Sequence, residues 1–128
     1  MILRRLPRRT ILIEHAKRFA SPGAARARTV VHGGLVYTVA TAREETDSMA
    51  EQTRDALGVL DLHLAEAGTN KSHLLRVTVY ITDMARKSEM NAAWEQWVDF
   101  ANPPQRACIG AQLESGDLIE LVAIAALP

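Results

Sequence analysis

The hydrophobic period changes twice along this chain, and those changes limit what it can fold into. Between residues 48 and 68, Met49, Thr53, Ala56, Leu57, Leu60 and Leu64 recur at the spacing of one helix face, and Gly68 ends the pattern. Ser48 followed by Glu51 has the spacing of a capping box, which satisfies amide groups that a helix start leaves open. Residues 74–82 (LLRVTVYIT) then alternate. Leu75, Val77, Val79 and Ile81 fall on one side and Leu74, Arg76, Thr78 and Tyr80 on the other, the period of a strand. A second helical stripe, Met90, Trp94, Trp97, Val98 and Ala101, predicts a helix over 84–101 that Asn102-Pro103-Pro104 terminates. At this spacing the tryptophan pair reads as core.

The flanking segments read as strands. Residues 10–14 (TILIE) are rich in β-branched side chains, and 19–27, with Pro22 and Gly23, reads as a loop. Residues 28–32 and 35–41 flank Gly33-Gly34, a hairpin signal because tight turns demand positive φ. Residues 106–113 and 118–127 flank Glu114-Ser115-Gly116-Asp117 and predict a closing hairpin. The order is three strands, helix, strand, helix and two strands, an α+β domain. Two helices cover only one face of such a sheet. The opposite face mixes apolar and small polar residues and suits burial against copies of the same chain.

Composition closes off several functions. With 128 residues and 48% hydrophobic content, one core forms without metal or disulfide. Basic and acidic residues number 15 each, so the overall balance does not ask for nucleic acid or an anionic membrane. Arg4, Arg5, Arg8 and Arg9 crowd the start, so residues 1–10 are expected to form a solvated, flexible basic arm preceding a domain over 11–128. A single cysteine, no signal-peptide apolar region and no segment of membrane-spanning length together predict a cytoplasmic protein. The four histidines lack zinc-site spacing and no Gly-rich phosphate loop is present, so neither metal nor cofactor is expected.

Two charged residues stand out near the C-terminus. Glu120 is the lone carboxylate in an apolar strand, 118–125, and must be paired, neutral or at a wet cleft. A general base or water-positioning group fits that placement, as does a glutamate reaching solvent from a sheet edge. Arg106 follows a Pro-Pro-Gln bend, with Cys108 and Gly110 on its side of the strand. Its planar fork matches a carboxylate, although an arginine pairing with an acid across a subunit boundary fits as well. Cys108 reads as a packed small hydrophobe whose backbone N–H matters more than its sulfur. In a closing hairpin, Arg106 and Glu120 would stand roughly 17 Å apart. They would then meet one small ligand only with help from another subunit.

Pro103-Pro104-Gln105-Arg106-Ala107-Cys108-Ile109 and the 118–125 strand resemble the C-terminal signature of the RidA/YjgF family, also labelled endoribonuclease L-PSP. Residues 51–57, 77–84 and Met90-Asn91 extend the resemblance over most of the chain from residue 33 onward. It implies a chorismate-mutase-like fold with a mixed sheet, a homotrimer, and clefts between subunits where reactive 2-imino or enamine acids become 2-oxo acids and ammonia. Arg106 would clamp the substrate carboxylate, Glu120 would position the attacking water, and Cys108, Asn91 and Arg26 would contact substrate.

Three departures mark a branch closer to the YoaB-like proteins. Arg26 falls near the family's tyrosine, Val39-Ala40 replaces a Ser-Gly pair, and Val122 stands where a second glutamate is usual. A trimeric binder that keeps the carboxylate clamp without hydrolysis is therefore the rival reading, and RNA cleavage a minor third.

Overall fold

The computed structural model describes residues 15–128. The basic arm and the strand expected at 10–14 lie outside them. β1 spans Lys17–Ala20, so the segment expected to be loop from residue 19 begins inside a strand. β2 (Ala27–His32) and β3 (Leu35–Thr41) pair antiparallel around Gly33 and Gly34, whose φ angles of 61° and 78° supply the left-handed turn. α1 (Met49–Glu66) starts at Ser48, whose side chain accepts from the Glu51 N–H at 3.2 Å. Met49, Ala56, Leu57, Leu60 and Leu64 form its buried stripe, as the spacing required.

β4 (Leu74–Ile81) follows, then α2 (Lys87–Trp97), β5 (Gln105–Gly110) and β6 (Ile119–Ala126). The element order and the single mixed sheet agree with the sequence reading, but the closing hairpin does not form. Strand order is β1-β2-β3-β6-β4-β5, so β4 lies between β5 and β6. α2 carries the chain over from β4 to β5, which pair parallel, while β6 runs antiparallel between β3 and β4. The physical reason lies in burial. Ile119, Leu121, Ala123 and Ala125 are almost fully buried and need the sheet centre, whereas β5 exposes four of six residues and takes the edge.

Two smaller corrections have local causes. A register shift between Leu74 and Arg76 turns Leu74 inward and leaves Leu75 exposed, the reverse of strict alternation. α2 stops at Trp97 because Val98 turns extended, so Ala101 is exposed rather than on a buried stripe.

Both helices lie on one face. α1 packs on β3 and β6 and against α2, and the core of Val36, Val77, Val79, Ile81, Leu60, Leu64 and Met90 fills the space between. On the other face Tyr37 pairs with Ile124 and Val39 with Val122, and Tyr37, Val39 and Ile109 remain exposed. Among the described residues no helix is long and apolar enough to cross a membrane.

Candidate functional site

The expected site residues fall into two groups on opposite faces of the sheet. Arg106 pairs with Val77 and Cys108 with Val79, both wholly buried, so these side chains point to the helix face. Glu120 alternates with buried Ile119 and Leu121 and pairs with Thr41 and Tyr80, which puts it on the other face. Along β4 the two registers differ by three residues, roughly 10 Å, and two strand spacings of about 4.8 Å separate them laterally. Among the described residues of one chain they line separate cavities.

Around Arg106 the guanidinium is held before any ligand arrives. Its Nη2 donates to Asn91 Oδ1 at 3.0 Å, Nη1 lies 3.8 Å from Met90 Sδ, and the group sits 5.3 Å from the Trp94 ring centre. Asn91 and Trp94 reach it because they lie three residues apart on α2, on the side facing β5. A groove of about 310 Å³ opens there, with Val98, Phe100, Pro103 and Pro104 among its walls. Trp94 is core, as its spacing predicted, and also a platform for the guanidinium; spacing alone cannot show the second role. Cys108 is half-buried against the core and lines neither this groove nor the cavity at Glu120.

Glu120 and Arg26 line a larger cavity of about 590 Å³ with Arg28, Val39, Thr41, His63, Glu114 and Asp117. It forms where the loop before β2, the end of β3 and the turn before β6 converge. Burial, then the charges of Asp117 and Glu114, push the Glu120 carboxyl above its ordinary range, and Arg26 partly opposes this. Asp117 is raised as well, by burial first and then by Glu45 and Glu114. His63 is held below the usual histidine range, chiefly by burial and next by Arg28. Its Nδ1 lies 3.1 Å from Thr38 Oγ1, which is 2.8 Å from Thr29 Oγ1, and both threonines are buried.

Gln52, which the sequence reading did not single out, ties the cavity walls together. It is buried, its Nε2 donates to the carbonyls of Thr46 and Gly116 at 2.8 Å each, and its Oε1 accepts from the Leu118 N–H at 2.9 Å. One amide thus fastens the turn before β6 and the loop after β3 to α1. Asp55 secures that loop from below, accepting from the Arg43 and Glu44 N–H groups at 2.8 and 2.9 Å. Its carboxyl is held low, first by the Glu44 N–H. A polar residue inside a helical stripe was the available signal for Gln52, since a buried amide requires partners. A third cavity, about 440 Å³, lies between Arg43, Glu44, Thr46, Glu51 and Asp55; its Arg43 and Asp55 pair with each other, and it holds none of the five expected residues.

A family model described as Endoribonuclease L-PSP matches residues 13–127. A RutC family protein from Haemophilus influenzae is 36% identical over 107 residues, covering 81% of this chain and 92% of that protein. The RutC family protein YoaB from Escherichia coli is 31% identical over 84 residues, 66% of this chain and 74% of YoaB. The crystal structure of a YjgF family member from Neisseria meningitidis superposes with a TM-score of 0.84 at 30% identity, over 89% of this chain and 96% of that one. The fold is α+β of the chorismate-mutase-like kind found across these relatives. The chain belongs to the endoribonuclease L-PSP family, equally the RidA/YjgF family, on its YoaB-like branch.

Proposed function

We propose that this cytoplasmic protein hydrolyses small 2-imino or enamine acids to 2-oxo acids and ammonia, in clefts of a homotrimer where the Arg106 groove of one copy meets the Glu120 cavity of the next. The carrying observation is the Arg106 fork, fixed by Asn91 and Trp94 at the wall of an open groove, in a chain of this family. The fork takes the substrate carboxylate through paired charge-assisted bonds. Glu120 orients water toward the imine carbon and accepts a proton as the C–O bond forms. That proton passes to nitrogen to give the carbinolamine; the new hydroxyl then gives its proton to nitrogen through the same carboxylate, and ammonia leaves as the carbonyl forms. Water is the only co-reactant. A carboxyl raised by burial is a better base near neutrality than a solvated one. Arg26 faces the same space, as does the Val39 region that stands in for the family's Ser-Gly pair. The Cys108 backbone would contact the ligand from β5.

Freshly generated 2-aminoacrylate should disappear faster with the protein than in buffer, and Arg106→Ala should abolish the gain. Coexpressed Arg106→Ala and Glu120→Ala chains should recover part of it, because a shared site can draw its two halves from different copies. Wild-type protein no faster than buffer overturns hydrolysis, and mixed chains as inactive as either variant overturn the shared site. The second reading, a trimeric binder of small carboxylates without turnover, is favoured by Val122 and Arg26 at positions where the family pattern differs. It predicts a rise in Tm with 2-oxo acids and no loss of imine. Endoribonuclease activity has little support from a chain with equal acidic and basic counts; intact RNA after incubation removes it.

A further inference from the structure

We infer that the Arg106 groove selects monocarboxylic imino acids with a large apolar substituent and disfavours those with a second carboxylate; this rests on the carboxylate clamp proposed above. A three-carbon acid seated on the fork would leave much of the groove to solvent, since 310 Å³ is the share of about ten liquid waters. The walls beyond the guanidinium are Val98, Phe100, Pro103 and Pro104. Phe100 is 73% exposed, more than any other large hydrophobic side chain among the described residues.

The turn that carries it is tied down. The preceding Asp99 accepts from the Ser72 hydroxyl at 2.7 Å, the Ala101 N–H at 2.9 Å and the Asn102 amide at 3.1 Å, and the Asn102 N–H donates to the Asp99 carbonyl at 3.0 Å. These bonds hold the turn that carries Phe100, and two prolines stiffen the exit. A ligand whose carboxylate engages the fork therefore finds the backbone of an apolar wall already in place, which lowers the ordering that binding requires. Glu95, exposed on α2, adds a negative charge at the same groove and acts against a second carboxylate.

Calorimetric titration with three stable 2-oxo acids, pyruvate, phenylpyruvate and 2-oxoglutarate, tests this, with Arg106→Ala as control. Wild type should bind phenylpyruvate about tenfold more tightly than pyruvate, the worth of burying part of one ring, and 2-oxoglutarate more weakly than pyruvate. Phe100→Ser should narrow the ratio of phenylpyruvate to pyruvate affinity to about threefold. Glu95→Gln should bring 2-oxoglutarate up toward pyruvate.

Equal, Arg106-dependent binding of pyruvate and phenylpyruvate overturns the inference and leaves the clamp standing; absence of binding by all three acids overturns both. A wild-type preference that Phe100→Ser and Val98→Ser leave unchanged also overturns it. Light scattering on Phe100→Ser provides a further check: dissociation of the assembly would make Phe100 a contact between copies instead of a wall for ligand.

Discussion

The groove at Arg106 and the cavity at Glu120 are built by different physics. In the groove one cation is fixed by an amide, a sulfur and an aromatic ring on a single helix. In the cavity, carboxyls and a histidine sit near one another with perturbed affinities for protons, in walls drawn from the loop before β2, the end of β3, α1 and the turn into β6. A group that must recognise one charge gains from being held in place. Groups that must exchange protons gain from balanced, shifted affinities, which a rigid ion pair would remove. Under the proposed function, recognition belongs to the first region and proton transfer to the second.

The largest effect that would break this division comes from Arg106. Arg106→Lys should weaken 2-oxo acid binding about hundredfold despite retaining the charge, because an ammonium cannot offer the planar fork; titration calorimetry decides, and near-normal affinity would show that charge alone suffices. Next is Gln52→Ala, which leaves two carbonyls and one N–H without partners and should cost about 2 kcal/mol or more of stability, seen as a lowered urea midpoint. Its damage should fall on the cavity and spare binding at the groove.

Smaller effects follow. Asn91→Ala should reduce affinity about tenfold by freeing the guanidinium, with little change in Tm. Glu120→Gln should act in the opposite direction on stability. A carboxyl raised in the folded state holds its proton where the unfolded chain has lost it, so folding weakens as pH rises through the folded value. The amide removes that loss, so Tm should rise at pH 8 and match wild type near pH 4, while turnover falls. His63→Gln should give the least change. Depression of its affinity for protons makes the wild type lose stability as pH falls below the unfolded value of about 6.5, and the variant's Tm should be flatter across that range.

Much of the fold was legible because helix and strand periods are local properties. Ser48, the 49–64 stripe and the Gly33-Gly34 turn were each readable from a few neighbouring residues, and each stands where expected. The pairing of β5 was not legible, because a turn-rich tetrad between two β-prone runs looks the same whether the strands pair or a third inserts. The bulge at Leu74 was hidden for a similar reason: alternation predicts a face only while register holds. In the site, Arg106 and Glu120 were conspicuous as charges in apolar surroundings. Trp94, Phe100 and Gln52 were not, since their chemistry depends on which distant residues meet them.

The chain by itself determined its element types, its class and the identity of two charged groups worth attention, because each follows from composition and spacing within a few turns or strands. Only the tertiary structure decided that those groups occupy opposite faces, that β4 separates their strands, and that α2 orients one of them. Face and partner depend on long-range register, and a shift of one residue there reverses every side chain that follows.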